Sequence, residues 1–149
     1  MGTNYAGTKE EMLTLDSYIK LTRATEAVNG AINAHLRQEG LTLSQFSVLD
    51  ALHHIGPMTV GQLGEKIFRT SGNMTMVVDN LVKRGLVSRR RCAEDRRRVD
   101  VALTDDGRTL IKRIWPEHLE EVMVVWNVLS AEEQQHLGSL CRKLGLAQS

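Results

Sequence analysis

The sequence predicts a mainly α-helical protein with one small β-hairpin, and three kinds of pattern lead to this fold class. Apolar residues recur at three- and four-residue intervals along most of the 149 residues, which is the period of an amphipathic helix. Two short segments, residues 86–92 and 99–103, instead alternate as half-buried strands do. Capping residues and glycines separate the segments at short intervals, so the elements can be assigned in order.

The first two helices have recognisable ends. Residues 12–38 carry the spacing of a long amphipathic helix, and Gly40 ends it. A second helix begins after Thr42 or Ser44, in a segment that resembles a capping box. The pair Gly56-Pro57 then breaks this second helix.

The next two helices form a pair. Thr59 can cap a short third helix that ends at about Ile67. After a polar turn, a fourth helix places Met74 and the following apolar residues on its buried side. Gly85 lies where a left-handed C-terminal cap belongs. The spacing therefore predicts a helix-turn-helix.

The hairpin follows directly. In its second strand, Val99, Val101 and Leu103 alternate with Asp100 and Ala102, which predicts that the first three face inward. A helix-turn-helix followed by such a hairpin has the order of a winged helix-turn-helix, here over residues 42–104.

Two further helices complete the chain. Thr104 can cap a long fifth helix whose first turn contains two aspartates, and Pro116 is a candidate kink within it. Ser130 and Glu133 have capping-box spacing and open a final helix.

Positive charge is concentrated in the hairpin. Residues 83–104 hold eight basic and three acidic residues, a net charge of +5, whereas the whole chain has a net charge of +1. Such a cationic hairpin beside a helix is typical of proteins that bind a polyanion.

The combination of helix pair and basic wing predicts binding to double-stranded DNA. Small polar residues at the start of the fourth helix can read base edges in the major groove, and the wing arginines can enter the neighbouring minor groove. The competing interpretation for Ser71 and Thr75 is that they are helix-capping and surface residues. A salt bridge from Asp95 is expected to shape the wing and to aim Arg97. The candidate DNA contacts are Thr59, Thr70, Ser71, Asn73, Met74, Thr75, Arg84, Arg89, Arg91, Arg96, Arg97 and Arg98.

Other functional classes are disfavoured. The sequence has no recognisable nucleophile–base set, no glycine-rich phosphate loop and no metal-binding spacing among its two cysteines and five histidines, so we expect neither catalysis nor a metal or other cofactor. No apolar run is long enough to span a membrane, and no export signal is recognisable. We therefore expect a cytoplasmic protein.

Several motifs are similar to those of one protein family. They are Gly85-Leu86-Val87, Asp95-Arg96-Arg97 and Leu103-Thr104 in the wing, with residues 41–52, 58–67 and 70–87 before it. Together they resemble the MarR family of bacterial transcription regulators, over about residues 12–145. The wing motif is the most specific part of this resemblance.

The resemblance implies a homodimer on a pseudo-palindromic operator. Residues 12–40 and 105–146 would form a helical dimerisation region, residues 41–104 the DNA-binding domain, and residues 1–11 a polar tail. Family members usually repress genes near their own, and a small aromatic or phenolic compound, or an oxidant, often releases them from DNA. The effector pocket would lie between the dimerisation helices and the DNA-binding lobe.

Three further hypotheses concern the signal that releases the protein from DNA and the kind of molecule that the winged helix binds. Tyr18, His53 and His54 are candidate pocket residues, although interface packing explains Tyr18 and the helix dipole explains two C-terminal histidines equally simply. Cys92, which follows three arginines, is the candidate for an oxidant-responsive regulator. A winged-helix module that binds protein instead of DNA would not need the basic wing tip.

Overall fold

A computed structural model describes residues 3–67 and 71–148, with the backbone alone at residues 71 and 72. The described residues form six helices and an antiparallel hairpin between the fourth and fifth, which confirms the predicted fold class and element order. The elements are α1 (Lys9–Gln38), α2 (Leu43–His54), α3 (Val60–Ile67), α4 (Ser71–Lys83), β1 (Val87–Arg91), β2 (Val99–Leu103), α5 (Asp105–Trp126) and α6 (Ala131–Leu146).

The chain divides into two compact units, and the divisions lie inside the two longest helices. One unit contains the chain up to Ile32 and again from Glu120 onward, and the other contains Asn33–Leu119. The second unit therefore includes the last turns of α1 and about the first two thirds of α5. The division by function that the sequence suggests, at residues 40/41 and 104/105, stays a prediction.

The predicted helix ends are largely confirmed. Thr42, and not Ser44, caps α2 in a complete capping box with Gln45. Ser130 and Glu133 form the same motif at the start of α6. After α1, Gly40 adopts a left-handed conformation with φ of 68°, which costs a glycine little.

The hairpin has one feature that the sequence pattern missed. Val101 forms an antiparallel bridge with Met58, through N–H···O distances of 2.8 and 3.2 Å in the two directions. Strand β2 therefore has a neighbour on each side, β1 and the segment before α3. The prediction that Val99, Val101 and Leu103 face inward and Asp100 and Ala102 outward was wrong at two positions. Ala102 is buried, and Val99, near the solvent end of the hairpin, is 42% exposed.

The core of the second unit is built from α1 to α5 and the wing. Its fully buried side chains include Leu36, Leu49, Leu63, Met74 and Ile111. Met74 has no exposed surface, so the proposal that its side chain contacts DNA was wrong. The apolar period of α4 takes Met74 into the core, as it does Val78 and Leu81.

A tight junction joins the wing to α5. The Thr104 hydroxyl accepts a hydrogen bond from the Gly107 N–H at 3.1 Å and donates one to the Gly85 carbonyl at 2.6 Å. Gly107 lies so close to the Leu86 backbone that a Cβ there would be 1.9 Å from the Leu86 carbonyl oxygen. This glycine is required by space and not by its backbone angle.

No described helix is long and apolar enough to cross a membrane.

Candidate nucleic-acid interface

Helix α4 presents a polar face to solvent near its N-terminus. Asn73 and Thr75 are exposed there, while the intervening Met74 is buried. Ser71 begins the helix, but its side chain and the whole of Thr70 lie outside the described residues. The first turns of α4 thus have the small polar side chains that reading base edges requires.

Met76 belongs to the same outer face, and sequence reasoning missed it. Its side chain is 62% exposed, and the neighbouring Asn73 and Thr75 on this face are exposed as well. The helical period contained the signal, since Met76 lies about 200° around the helix from the buried Met74. An exposed apolar side chain at this position is suited to contact a thymine methyl group.

Three wing arginines are exposed and uncommitted among the described residues. The guanidinium groups of Arg90, Arg96 and Arg97 make no ion pair or hydrogen bond with any other residue that the structure describes. Arg96 and Arg97 lie at the tip between the strands, and Arg90 is on β1. Their guanidinium groups are therefore available to phosphates or to a minor groove.

Two other wing arginines have partners within the protein. Arg89 forms an ion pair with Asp79 of α4, and Arg91 donates to the Arg96 carbonyl at 3.0 Å. Both arginines remain exposed. If Arg89 also contacted DNA, its guanidinium group would have to bind DNA and Asp79 at the same time.

Arg84 and Arg98 are committed more fully. Arg84 donates to the Gly40 carbonyl at 2.7 Å and to the Glu39 carbonyl at 3.4 Å, which satisfies carbonyl groups at the C-terminus of α1. Arg98 donates from Nε to Asp100 at 2.7 Å and from Nη2 to Gln62 of α3 at 3.0 Å. The hydrogen bond and the charge of Asp100 raise the pKa of Arg98.

Asp95 shapes the wing tip through the backbone. The expected salt bridge to an arginine was wrong, because the Asp95 carboxylate instead accepts a hydrogen bond from the Arg97 backbone N–H at 3.0 Å. The Asp95 carbonyl also accepts from the Arg98 N–H at 3.0 Å. A short aspartate side chain commonly closes a turn in this way. It fixes the Arg97 backbone and leaves the guanidinium free to turn.

Thr59 is less available to a phosphate than the sequence suggested. Its hydroxyl accepts the Gln62 N–H at 3.2 Å, and its own N–H donates to the Gln62 side-chain oxygen at 2.9 Å. These contacts form a capping box at the start of α3. Only the hydroxyl proton of Thr59 remains as a donor.

The candidate effector residues are placed as follows. Tyr18 lies on α1 and is 64% exposed. His53 and His54 end α2 with ring centroids 4.8 Å apart, and the His54 Nδ1 lies 2.9 Å from an Asp50 carboxylate oxygen. His54 also lines an open surface cavity of about 380 Å³ together with Asp50 and Lys66.

A half-buried histidine pair was missed because its members are far apart in the sequence. His35 of α1 and His118 of α5 have ring centroids 6.3 Å apart, and His118 packs on Phe46 at 4.1 Å. The His35 Nε2 and the His118 Nδ1 are buried, and neither has a hydrogen-bond partner among the residues that the structure describes. Burial, and then the charge of His35, lower the pKa of His118, against the opposing effect of Asp50.

Metal and disulfide chemistry find no support in the described part of the chain. No group of three or more histidine, cysteine or acidic side chains there could hold a metal ion. Cys92 is half-buried at the end of the wing, and Cys141 is exposed on α6 as a free thiol.

Comparisons with known proteins agree with this geometry. Residues 41–99 match the model of the MarR family. The HTH-type transcriptional regulator MhqR of Bacillus subtilis is 35% identical over 133 residues, which cover 89% of this chain and 92% of the relative.

Solved structures share the fold over nearly the whole chain. Sco3205, a MarR family regulator from Streptomyces coelicolor solved in complex with DNA, is 25% identical with a TM-score of 0.81, covering 96% of this chain and 90% of that one. BpsR of Bordetella bronchiseptica, whose DNA binding is regulated by 6-hydroxynicotinic acid, has a TM-score of 0.80 at 24% identity, with 95% and 98% covered. The exposed α4 face, the basic wing and these matches together establish that the chain belongs to the MarR family and is a winged-helix, DNA-binding transcriptional regulator.

Proposed function

We propose that this regulator binds a pseudo-palindromic operator as a homodimer and represses transcription until a small aromatic compound releases it. The observation that carries the DNA-binding geometry is the position of two surfaces in one compact unit. The start of α4 exposes Asn73 and Thr75, and the wing exposes Arg96 and Arg97. A groove-reading helix and a free cationic tip are the two parts that a winged helix needs.

In this proposal the two surfaces have different tasks. Asn73, Thr75 and Met76 contact base edges in the major groove and supply sequence preference. Arg96 and Arg97 enter the adjacent minor groove and supply affinity and register. Arg84 and Arg98, which the sequence placed among the DNA contacts, act within the protein instead.

The salt dependence of operator binding tests the wing contact. The affinity for a fragment containing the operator should fall by roughly 10³–10⁵ between about 50 and 200 mM salt if about six to ten phosphates are neutralised. Arg97→Ala should weaken binding and reduce the slope by about one for each phosphate that is no longer neutralised. Lys112→Ala, which removes an exposed charge from α5 of the same unit, serves as the control and should leave the slope unchanged.

A flat salt response of the wild type would contradict the DNA contact as proposed. An equal decrease of slope in Arg97→Ala and Lys112→Ala would show that net charge matters and that the wing tip does not. The same titrations with Asn73→Ala test whether this side chain reads a base.

We expect Asn73→Ala to lose about 1–3 kcal/mol of the preference for one base pair in each half-site. If the variant instead binds every sequence more weakly by the same amount, Asn73 contacts the DNA backbone.

For the effector we propose the half-buried pair His35 and His118 in place of His53 and His54. The unpartnered nitrogens of His35 and His118 are costly to bury, and a hydroxyl or carboxylate group could satisfy both of them. The aromatic ring of Phe46 beside His118 suits an aromatic ligand. The regulation of BpsR by 6-hydroxynicotinic acid, a hydroxylated aromatic acid, supports this ligand class.

A thermal-shift screen of hydroxylated aromatic acids, quinones, urate and metal ions tests this assignment. A compound that raises the melting temperature and also releases operator DNA is expected among the aromatic acids. His118→Gln should abolish that shift, and His53→Gln, a half-buried histidine at the end of α2, is the matched control. Loss of the response in His53→Gln but not in His118→Gln would contradict a site at His35 and His118.

A further inference from the structure

Arg98 connects the wing to α3 through a side-chain contact, in addition to the backbone bridge between Val101 of β2 and Met58 just before α3. Its side chain belongs to the wing and reaches Gln62 in the first turn of α3, with Nη2 of Arg98 3.0 Å from Oε1 of Gln62. The same Gln62 oxygen accepts the Thr59 N–H at 2.9 Å. One amide oxygen therefore serves both the cap of α3 and the wing.

The backbone of Arg98 also makes two hydrogen bonds. Its N–H donates to the Asp95 carbonyl at 3.0 Å, and its carbonyl accepts the Cys92 N–H at 2.9 Å. These two hydrogen bonds close the base of the wing tip, immediately before β2. A residue with this backbone position and this side-chain contact transmits the position of α3 to the tip that carries Arg96 and Arg97.

Asp100 fixes the direction of the guanidinium group. Its carboxylate accepts from Arg98 Nε at 2.7 Å, and its side chain is 14% exposed, whereas that of Arg98 is 38% exposed. An arginine can donate to a carboxylate and an amide at once because its N–H groups diverge in one rigid plane. A lysine has a single ammonium group on a flexible stem and cannot reproduce both contacts in this geometry.

We propose that Arg98 is a positioning residue for DNA binding, which locks the wing to α3 so that Arg96 and Arg97 meet the minor groove while α4 occupies the major groove. Arg98 itself makes no contact with phosphate. The inference rests on the proposed wing contact, because a wing that did not touch DNA would need no fixed position.

The test compares Arg98→Lys with Arg97→Lys, two variants that keep the charge. If Arg98 positions the wing, Arg98→Lys should lower operator affinity by roughly tenfold and leave the salt slope unchanged. Hydroxyl-radical footprinting, which reports the accessibility of the minor groove, should show reduced protection in the minor groove that flanks each half-site. Protection of guanine N7 from dimethyl sulfate, which reports major-groove contacts, should be retained. Arg97→Lys should lower the affinity less, because an ammonium group can still neutralise a phosphate.

A double-mutant cycle with Gln62 isolates the connection from any effect on the fold. Gln62→Leu removes the acceptor of Arg98, so Arg98→Lys should cost little more in that background than Gln62→Leu alone. Gln62→Glu retains a capping acceptor for Thr59 and a carboxylate partner for Arg98, and should keep the wild-type footprint. Circular dichroism and melting temperature establish that each variant is folded.

Different results separate the two proposals. Wild-type affinity in Arg98→Lys, with a reduced salt slope in Arg98→Ala, would make Arg98 a phosphate contact and overturn the positioning role. Fully additive effects of Arg98→Lys and Gln62→Leu on affinity would also overturn it. If Arg97→Ala left both affinity and slope unchanged, the wing contact itself would fail, and with it the reason to position the wing.

Discussion

Gly107 is the residue whose identity is most strictly determined by its surroundings. A Cβ at this position would lie 1.9 Å from the Leu86 carbonyl oxygen, which belongs to the backbone and cannot rotate away. Gly107→Ala should therefore lower the free energy of unfolding by about 1–3 kcal/mol, as overpacking does. Urea denaturation measures the change.

Gly61→Ala is the matched control for this prediction. Gly61 also lies in the first turn of a helix, but the nearest neighbour of its added Cβ is the Thr59 hydroxyl oxygen at 3.9 Å. With space available, alanine should stabilise the helix by up to about 1 kcal/mol. Equal effects of the two substitutions would contradict the argument from close approach.

His118 should make the stability of the protein depend on pH. Because burial holds its pKa below the ordinary value of 6.5, the unfolded chain binds a proton more readily than the folded protein does. The free energy of unfolding should therefore fall as the pH decreases from about 6.5 toward the lowered pKa of the folded state, and it should be restored above this range.

The pH dependence is checked by denaturation at a series of pH values. His118→Gln should flatten the part of the profile just below the ordinary histidine pKa. His136→Gln, at an exposed position on α6, should not. A profile that is the same in the wild type and in His118→Gln would contradict the assignment.

At the scale of elements, a single hydroxyl joins the end of α4 to the start of α5. Thr104 caps α5 through the Gly107 N–H and also donates to the Gly85 carbonyl. Thr104→Val keeps the shape but removes both hydrogen bonds, so it should cost about 1–2 kcal/mol of stability. Thr104→Ser should retain most of that stability, and equal destabilisation of the valine and serine variants would contradict the role of the hydroxyl.

At the scale of the whole molecule, α6 presents an unpaired apolar stripe. None of its described residues is buried, and the stripe contains Leu137, Leu140 and Leu144, which are 37%, 52% and 52% exposed. Their spacing places them on one face of the helix. An exposed apolar surface of this kind commonly marks a protein interface, and in the proposed homodimer it faces the partner subunit.

The double variant Leu140→Glu/Leu144→Glu should therefore be a monomer by analytical ultracentrifugation. Arg142→Glu changes the net charge by the same two units on the opposite side of α6, about 200° away, and should remain a dimer. A dimer that persists in the double variant would show that α6 does not form the interface. Dissociation in both variants would assign the effect to charge.

Local signals in the sequence determined the elements, because caps and helical periods act over a few residues. Thr42, Gly85 and Ser130 end or begin helices through contacts with near neighbours, which the pattern of residue types specifies. The wing and its charge were equally local, so the fold class and the DNA-binding function could be predicted from sequence.

Only the tertiary structure decided what each charged or polar side chain contacts. Arg84 and Arg98 resembled the other basic residues in sequence, yet one binds carbonyl groups 44 and 45 residues away and the other reaches a glutamine 36 residues away. His35 and His118 meet only because α1 and α5 bring them together. The partners of a side chain depend on how distant segments pack together, and the spacing of apolar residues within one segment does not predict that packing.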